Sequence, residues 1–134
     1  MDGIIVKTPE INFHTLDNIK NMLPYYNQSQ DIFYLTDEKP RPATSYDMDG
    51  LFWLRIDIET GEIVGLQIDN FESVFIKKHP ELNKAWKQTK HLYIHKQKKS
   101  RQQNNELFLL IIIDFILSLF KNNPPQSSMR MLST

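Results

Sequence analysis

A chain of 134 residues with 40% hydrophobic and 24% charged residues has the composition of one globular domain, which excludes disorder throughout. Its 16 basic and 16 acidic residues cancel, and the absence of cysteine removes disulfides, thiolate nucleophiles and cysteine-held zinc or iron–sulfur centres. Met1–Lys7 lacks the basic and long apolar stretches of a secretory signal, so the expected location is the cytoplasm.

Thr8-Pro9-Glu10 has the pattern of a helix start, with Thr8 as N-cap and proline at the first helical position. A helix from about Pro9 to Leu23 follows, with Phe13, Leu16, Ile19 and Leu23 on one stripe and Pro24 ending it. Asp31–Thr36 is short and rich in β-formers, which makes it the first strand, and Pro40 and Pro42 interrupt the chain after it. Met48-Asp49-Gly50 predicts a three-residue loop that brings Tyr46 opposite Phe52. A two-residue Asp49-Gly50 turn would instead send Tyr46 outward.

The strongest local signal is Leu51–Asp69, where two period-two runs flank the loop Glu59-Thr60-Gly61, with glycine at the left-handed position. With Ile58 opposite Glu62, Ile56 meets Val64, Leu54 meets Leu66 and Phe52 meets Ile68 on one apolar face. Trp53, Arg55 and Asp57 then oppose Gln67, Gly65 and Ile63 on the other, mostly polar face, with Trp53 diagonal to Gly65 and placed to cover it. Asp69 and Glu72 have capping-box spacing ahead of Phe71, Val74 and Phe75, predicting a short helix. Pro80-Glu81 opens another, with Leu82 and Trp86 on its apolar stripe.

This pattern predicts an α+β fold over residues 1–90: an antiparallel β-meander of three to four strands between 31 and 69, packed against an N-terminal helix and short following helices. A basic and polar linker covers 91–106, an apolar helix 107–121 and a disordered tail 122–134. Leu107–Phe120, broken only by Asp114 and Ser118, spans about 21 Å as a helix, short of the roughly 30 Å of a bilayer core. This helix is expected to be buried, self-associating or peripheral on a membrane, and because one meander face is already claimed by the N-terminal helix and by Phe71, Val74 and Phe75, self-association or lipid are the favoured destinations. A chain ending at Arg101 is therefore expected to stay folded.

Tyr46-Asp47, Leu51-Phe52-Trp53-Leu54 and the run Ile58-Glu59-Thr60-Gly61-Glu62-Ile63-Val64-Gly65-Leu66-Gln67-Ile68 resemble the small bacterial domain of unknown function 2283 family, whose short sheets carry a hairpin of this type. The likeness covers roughly the central third of the chain. It implies a fold and brings no catalytic residues; the N-terminal helix and the long C-terminal extension depart from a typical short member.

Charge is segregated, with 13 acidic against five basic residues up to Ile76 and nine basic residues against Glu81 alone from Lys77 to Arg101. Lys77, Lys78, Lys84, Lys87, Lys90, Lys96, Lys98, Lys99 and Arg101 form a candidate anion-binding patch, for nucleic acid or a lipid surface. The plainer reading is a solvated basic stretch or one packed loosely on its own acidic domain. Trp86 and Tyr93 interleave with it as candidate stacking aromatics, and no helix-turn-helix pattern accompanies it.

Other chemistry is thin. Asp47, Asp49, Asp57, Glu59 and Glu62 flank turns, where turn chemistry accounts for them, and Asp47-Met48-Asp49-Gly50 lacks the later ligands of a calcium loop. His91 and His95 sit i, i+4 without the glutamate of a zinc protease helix, while His14 and His79 are isolated. The sequence therefore names no catalytic, cofactor-binding or metal-binding residue and implies no cofactor. The expected function is that of a non-enzymatic interaction or regulatory module for a protein partner, or for a second copy through Leu107–Phe120. The alternative is an anionic-partner binder through 77–101, on nucleic acid or a membrane surface.

Overall fold

The computed structural model describes residues 11–39, 41–94 and 107–122. Five strands, β1 (Leu23–Asn27), β2 (Ile32–Thr36), β3 (Ala43–Met48), β4 (Phe52–Asp57) and β5 (Ile63–Ile68), form one antiparallel sheet in the order β1-β2-β5-β4-β3. The fold is α+β, as the sequence predicts. Its sheet is broader than a meander: β3, β4 and β5 follow one another, but β2 pairs with β5 rather than β3, and β1 is an additional strand. β1 contains Pro24, read from sequence as a stop. At a sheet edge its missing N–H costs no ladder bond, so proline is tolerated there.

The N-terminal element differs in kind from the expected α-helix. It is a 3-10 helix, Phe13–Asn21, capped by Asn12, whose Oδ1 accepts the His14 N–H at 3.1 Å. Asn12 N–H also donates to Gly61 O at 2.9 Å, tying this residue to the hairpin as an extended bridge, so helical geometry begins only after it. Phe13, Leu16, Ile19 and Met22 recur every three residues, the period of a 3-10 helix, and Met22 rather than Leu23 takes the last inward place. The proposed Thr8 cap and Pro9 lie outside the described residues.

In the central hairpin Leu54 opposes Leu66 as predicted, and Gly61 has φ +77°. The loop has four residues, 58–61, because Asp57 N–H donates to Glu62 O at 2.8 Å while the Asp57 carboxylate collects the Glu59 and Thr60 amides at 2.8 and 3.1 Å. Ile56 therefore faces Ile63, and a bulge at Val64 absorbs the extra loop residue and restores the predicted register from Gly65 onward. In the first hairpin Met48 faces Phe52 across a three-residue loop, so Tyr46 turns inward opposite Leu54 rather than Phe52.

After β5 the chain makes a π-helical turn, Phe71–Phe75, that runs into α1 (Ile76–Lys78). Pro80–Leu82, α2 (Asn83–Thr89) and Lys90–Leu92 follow. The Asp69–Glu72 capping box does not form. Asp31, in the β1–β2 turn, caps this helix from 41 residues away, its carboxylate accepting Glu72 N–H at 2.7 Å and Ser73 N–H at 3.1 Å, its carbonyl accepting Phe71 N–H at 2.9 Å. Glu72 turns to the Trp86 indole N–H and Lys90 instead, and Val74 is exposed.

The last described element, α3 (Leu107–Asn122), lies on the same core, which corrects the expectation that its own domain offers little cover. Phe108, Leu109, Ile112, Ile113, Ile116 and Phe120 are buried along one side. Phe108 meets Trp86 at 5.0 Å and Tyr93 at 5.8 Å at one end, Phe115 stands 4.6 Å from the His79 ring, and Phe120 reaches Phe52 and Phe13 at 5.8 and 6.1 Å at the other. Five strands about 4.8 Å apart present a wider inner face than three, with room for α3 between the 3-10 helix and the 71–93 helices. Leu107 and Leu110 stay exposed on its outward side, beside Asp114. Among the described residues, no helix is long and apolar enough to cross a membrane.

Candidate binding groove on the open sheet face

All of these helices cover one face of the sheet, and period-two alternation sends the intervening side chains to the other. The registers place Tyr25, Tyr34, Gln67, Trp53 and Asp47 in one row across all five strands, and Leu23, Thr36, Gly65, Arg55 and Ser45 in the next. The rings of Tyr25 and Tyr34 are 6.0 Å apart and 13° from parallel. Gly65 lowers the floor between Thr36 and Arg55. A Cβ there would stand 3.2 Å from Leu35 O and 3.3 and 3.4 Å from Arg55 Cβ and Cδ, so the Arg55 stem, not Trp53 as expected, lies across the glycine.

The β1, β2 and β5 ends of these rows, with Arg55 from β4, Val64 at the bulge, and Asp37, Glu38, Lys39 and Arg41 as one wall, line a groove of about 630 Å³. Arg41 fixes that wall. Its guanidinium donates to Asp37 at 3.0 Å, Asp57 at 3.2 Å and Glu62 at 2.9 Å, which closes the β2–β3 connection onto the central hairpin. Asp57 is held below the usual carboxylate range by the Thr60 and Glu59 amides and by Arg41, and Glu62 by Arg41 and the Thr60 hydroxyl. Burial, Asp69 and Tyr25 push the Tyr34 phenol upward. Beside the groove, along the same face, Asp69 accepts the Trp53 indole N–H at 3.0 Å and the Gln67 amide at 2.8 Å.

The sequence-level candidates lie elsewhere. Lys77, Lys78, Lys84 and Lys87 are exposed on the helical side, whereas Lys90 pairs with Glu72 at 2.8 Å and stands 5.6 Å above the Tyr26 ring. Lys96, Lys98, Lys99 and Arg101 lie outside the described residues, as does His95. Trp86 and Tyr93, the candidate stacking aromatics, are buried in the core and cannot meet a base. Asp47 accepts the Gly50 N–H at 2.9 Å, consistent with its turn role, and among the described residues no three acidic or histidine side chains group as a metal site. Sequence reasoning listed Trp53, Arg55 and Gln67 as one polar face. It missed the groove because Tyr25 belongs to the unpredicted β1. No family model matches the chain, and comparisons with curated proteins and with solved structures found no match either.

Proposed function

We propose that this chain is a non-enzymatic interaction module that holds a segment of a partner polypeptide in the groove on the open face of its sheet. The observation that carries this is the groove itself: stacked tyrosines beside hydrogen-bonding Arg55 and Gln67, at a volume within the range of about 300–1,000 Å³ that ligand sites occupy. The ionisable groups support binding over acid–base chemistry. Asp57 and Glu62 are pushed down and Tyr34 up, away from neutrality, where a general acid or base works best. The cysteine-free composition suits the reducing cytoplasm, where we place it.

The exposed Lys77, Lys78, Lys84 and Lys87 favour a second reading, an anionic partner on the helical side. With Trp86 and Tyr93 enclosed, such binding would rest on lysine–phosphate contacts alone, weak, indifferent to sequence and steeply weakened by salt. Self-association through Leu107–Phe120 would have to use the outward Leu107 and Leu110. Peptides selected from a displayed library on the immobilised protein separate these readings. Binding lost in Tyr25→Ala/Tyr34→Ala and kept in Lys84→Glu/Lys87→Glu supports the groove; the reverse pattern moves the site to the helices.

A further inference from the structure

Two arginines reach this groove, and their surroundings are opposite. Arg41 is saturated by the three carboxylates of Asp37, Asp57 and Glu62. Arg55, half-buried on the floor, donates from Nη1 to the neutral Ser45 Oγ at 3.0 Å, and among the described residues no carboxylate pairs with it. The guanidinium is also held in place, because its stem lies on Gly65, where any side chain would displace it. A cation fixed on a groove floor with most of its donors unspent is a recognition element. Its planar fork matches a carboxylate in two parallel hydrogen bonds.

Resting on the reading of the groove as a polypeptide site, we propose that Arg55 receives the carboxylate of an aspartate or glutamate side chain of the partner segment, and that Tyr25 and Tyr34 hold an apolar side chain next to it. The charge lining the groove suits this ligand. Asp37 and Glu38 stand against Lys39, Arg41 and Arg55, and Arg41 is spent on Asp37, Asp57 and Glu62, so a small positive excess remains with Arg55 on the floor, enough for a single carboxylate.

The test is titration of the isotopically labelled full chain, followed by amide and arginine side-chain NMR signals, with capped acetyl-Phe-Glu-amide, its acetyl-Phe-Gln-amide counterpart and 3-phenylpropionate. The expected result is saturable shifts at Tyr34, Arg55 and Gln67, with the glutamate peptide binding about tenfold or more tighter than the glutamine peptide. Arg55→Gln, whose unchanged spectrum elsewhere reports an intact fold, brings the two peptides to equal affinity. Equal affinities in the native chain, or a preference that survives Arg55→Gln, overturn carboxylate recognition while leaving the groove as a peptide site. Tighter binding of 3-phenylpropionate than of either peptide overturns the polypeptide occupant in favour of a free organic acid. Shifts that miss the groove with all three probes overturn both this inference and the function proposed above.

Discussion

The two faces of the sheet are built from the same strands and have opposite fates. On the inner face Phe33, Leu35, Leu54, Ile56, Leu66 and Ile68 are sealed by the 3-10 helix, the 71–93 helices and α3. On the outer face Tyr25, Tyr34, Trp53, Arg55 and Gln67 remain partly exposed. The difference shows where a chain with a surplus of apolar residues spends them: α3, read alone as a helix in search of a partner, completes the inner face and leaves the polar face open.

The largest test of that contrast is a chain ending at Arg101. Six buried α3 side chains, each contributing about 1.5–3 kcal/mol, would be lost against a total stability of about 5–15 kcal/mol, so cooperative unfolding in urea is expected to vanish. A folded, better dispersed truncation would return α3 to the role of a separate helix. Within the full chain, Phe108→Ala is expected to cost about 3–5 kcal/mol, whereas Tyr34→Ala on the opposite face costs about 1 kcal/mol or less. Equal costs in denaturant titrations would erase the distinction between the faces.

Asp31 sharpens it next, because this turn residue joins β1–β2 to the helical layer. Asp31→Ala is expected to cost about 3 kcal/mol, leaving the Glu72 and Ser73 amides and the Tyr26 hydroxyl without their acceptor. Burial pulls the Asp31 carboxyl upward, but those amides and the Tyr26 hydroxyl outweigh it and hold it below the ordinary range. Glu72 is likewise raised by burial and lowered further by Lys90, Trp86 and Tyr26. Carboxyls lowered in the folded state stabilise it above their unfolded values, near pH 4, and that contribution drains as pH falls through the folded values. Urea midpoints measured from pH 7 to pH 3 are expected to hold and then drop below about pH 4, with a shallower drop in Asp31→Asn; a flat profile would show that this clasp contributes nothing.

Turn and surface changes are smaller. Gly61→Val is expected to cost about 2 kcal/mol, since a β-branched residue at φ +77° strains the loop. Gly65→Ala has no such φ, but its Cβ would press on the Leu35 carbonyl as well as on the Arg55 stem, so a cost of about 1 kcal/mol is expected together with weaker peptide binding. Lys84→Glu/Lys87→Glu on exposed positions is expected to move stability by less than about 0.5 kcal/mol.

Local chemistry was legible in the sequence and distant chemistry was not. Glycine at a left-handed position, alternating apolar residues and Pro80 at a helix start mark Gly61, the β4–β5 pairing and the 80–92 helices without help from elsewhere. The Asp31 cap joins residues 41 apart, and no local spacing announces it. The groove depends on β1, which Pro24 disguised, and on Arg55 lying over Gly65, which follows from a cross-strand register rather than from either residue alone. The length-three spacing of Phe13, Leu16, Ile19 and Met22 was present to be read, and the choice of Leu23 over Met22 hid it.

The chain carries one tryptophan on each face, Trp53 half-exposed outside and Trp86 buried inside. Acrylamide quenching of Trp53→Phe, in which Trp86 is the remaining fluorophore, therefore tests the division of the sheet most directly. A closed inner face predicts blue-shifted emission and quenching several-fold weaker than in the native chain, persisting until the protein unfolds. Red-shifted emission quenched as readily as free tryptophan would show that α3 and its neighbouring helices do not seal that face.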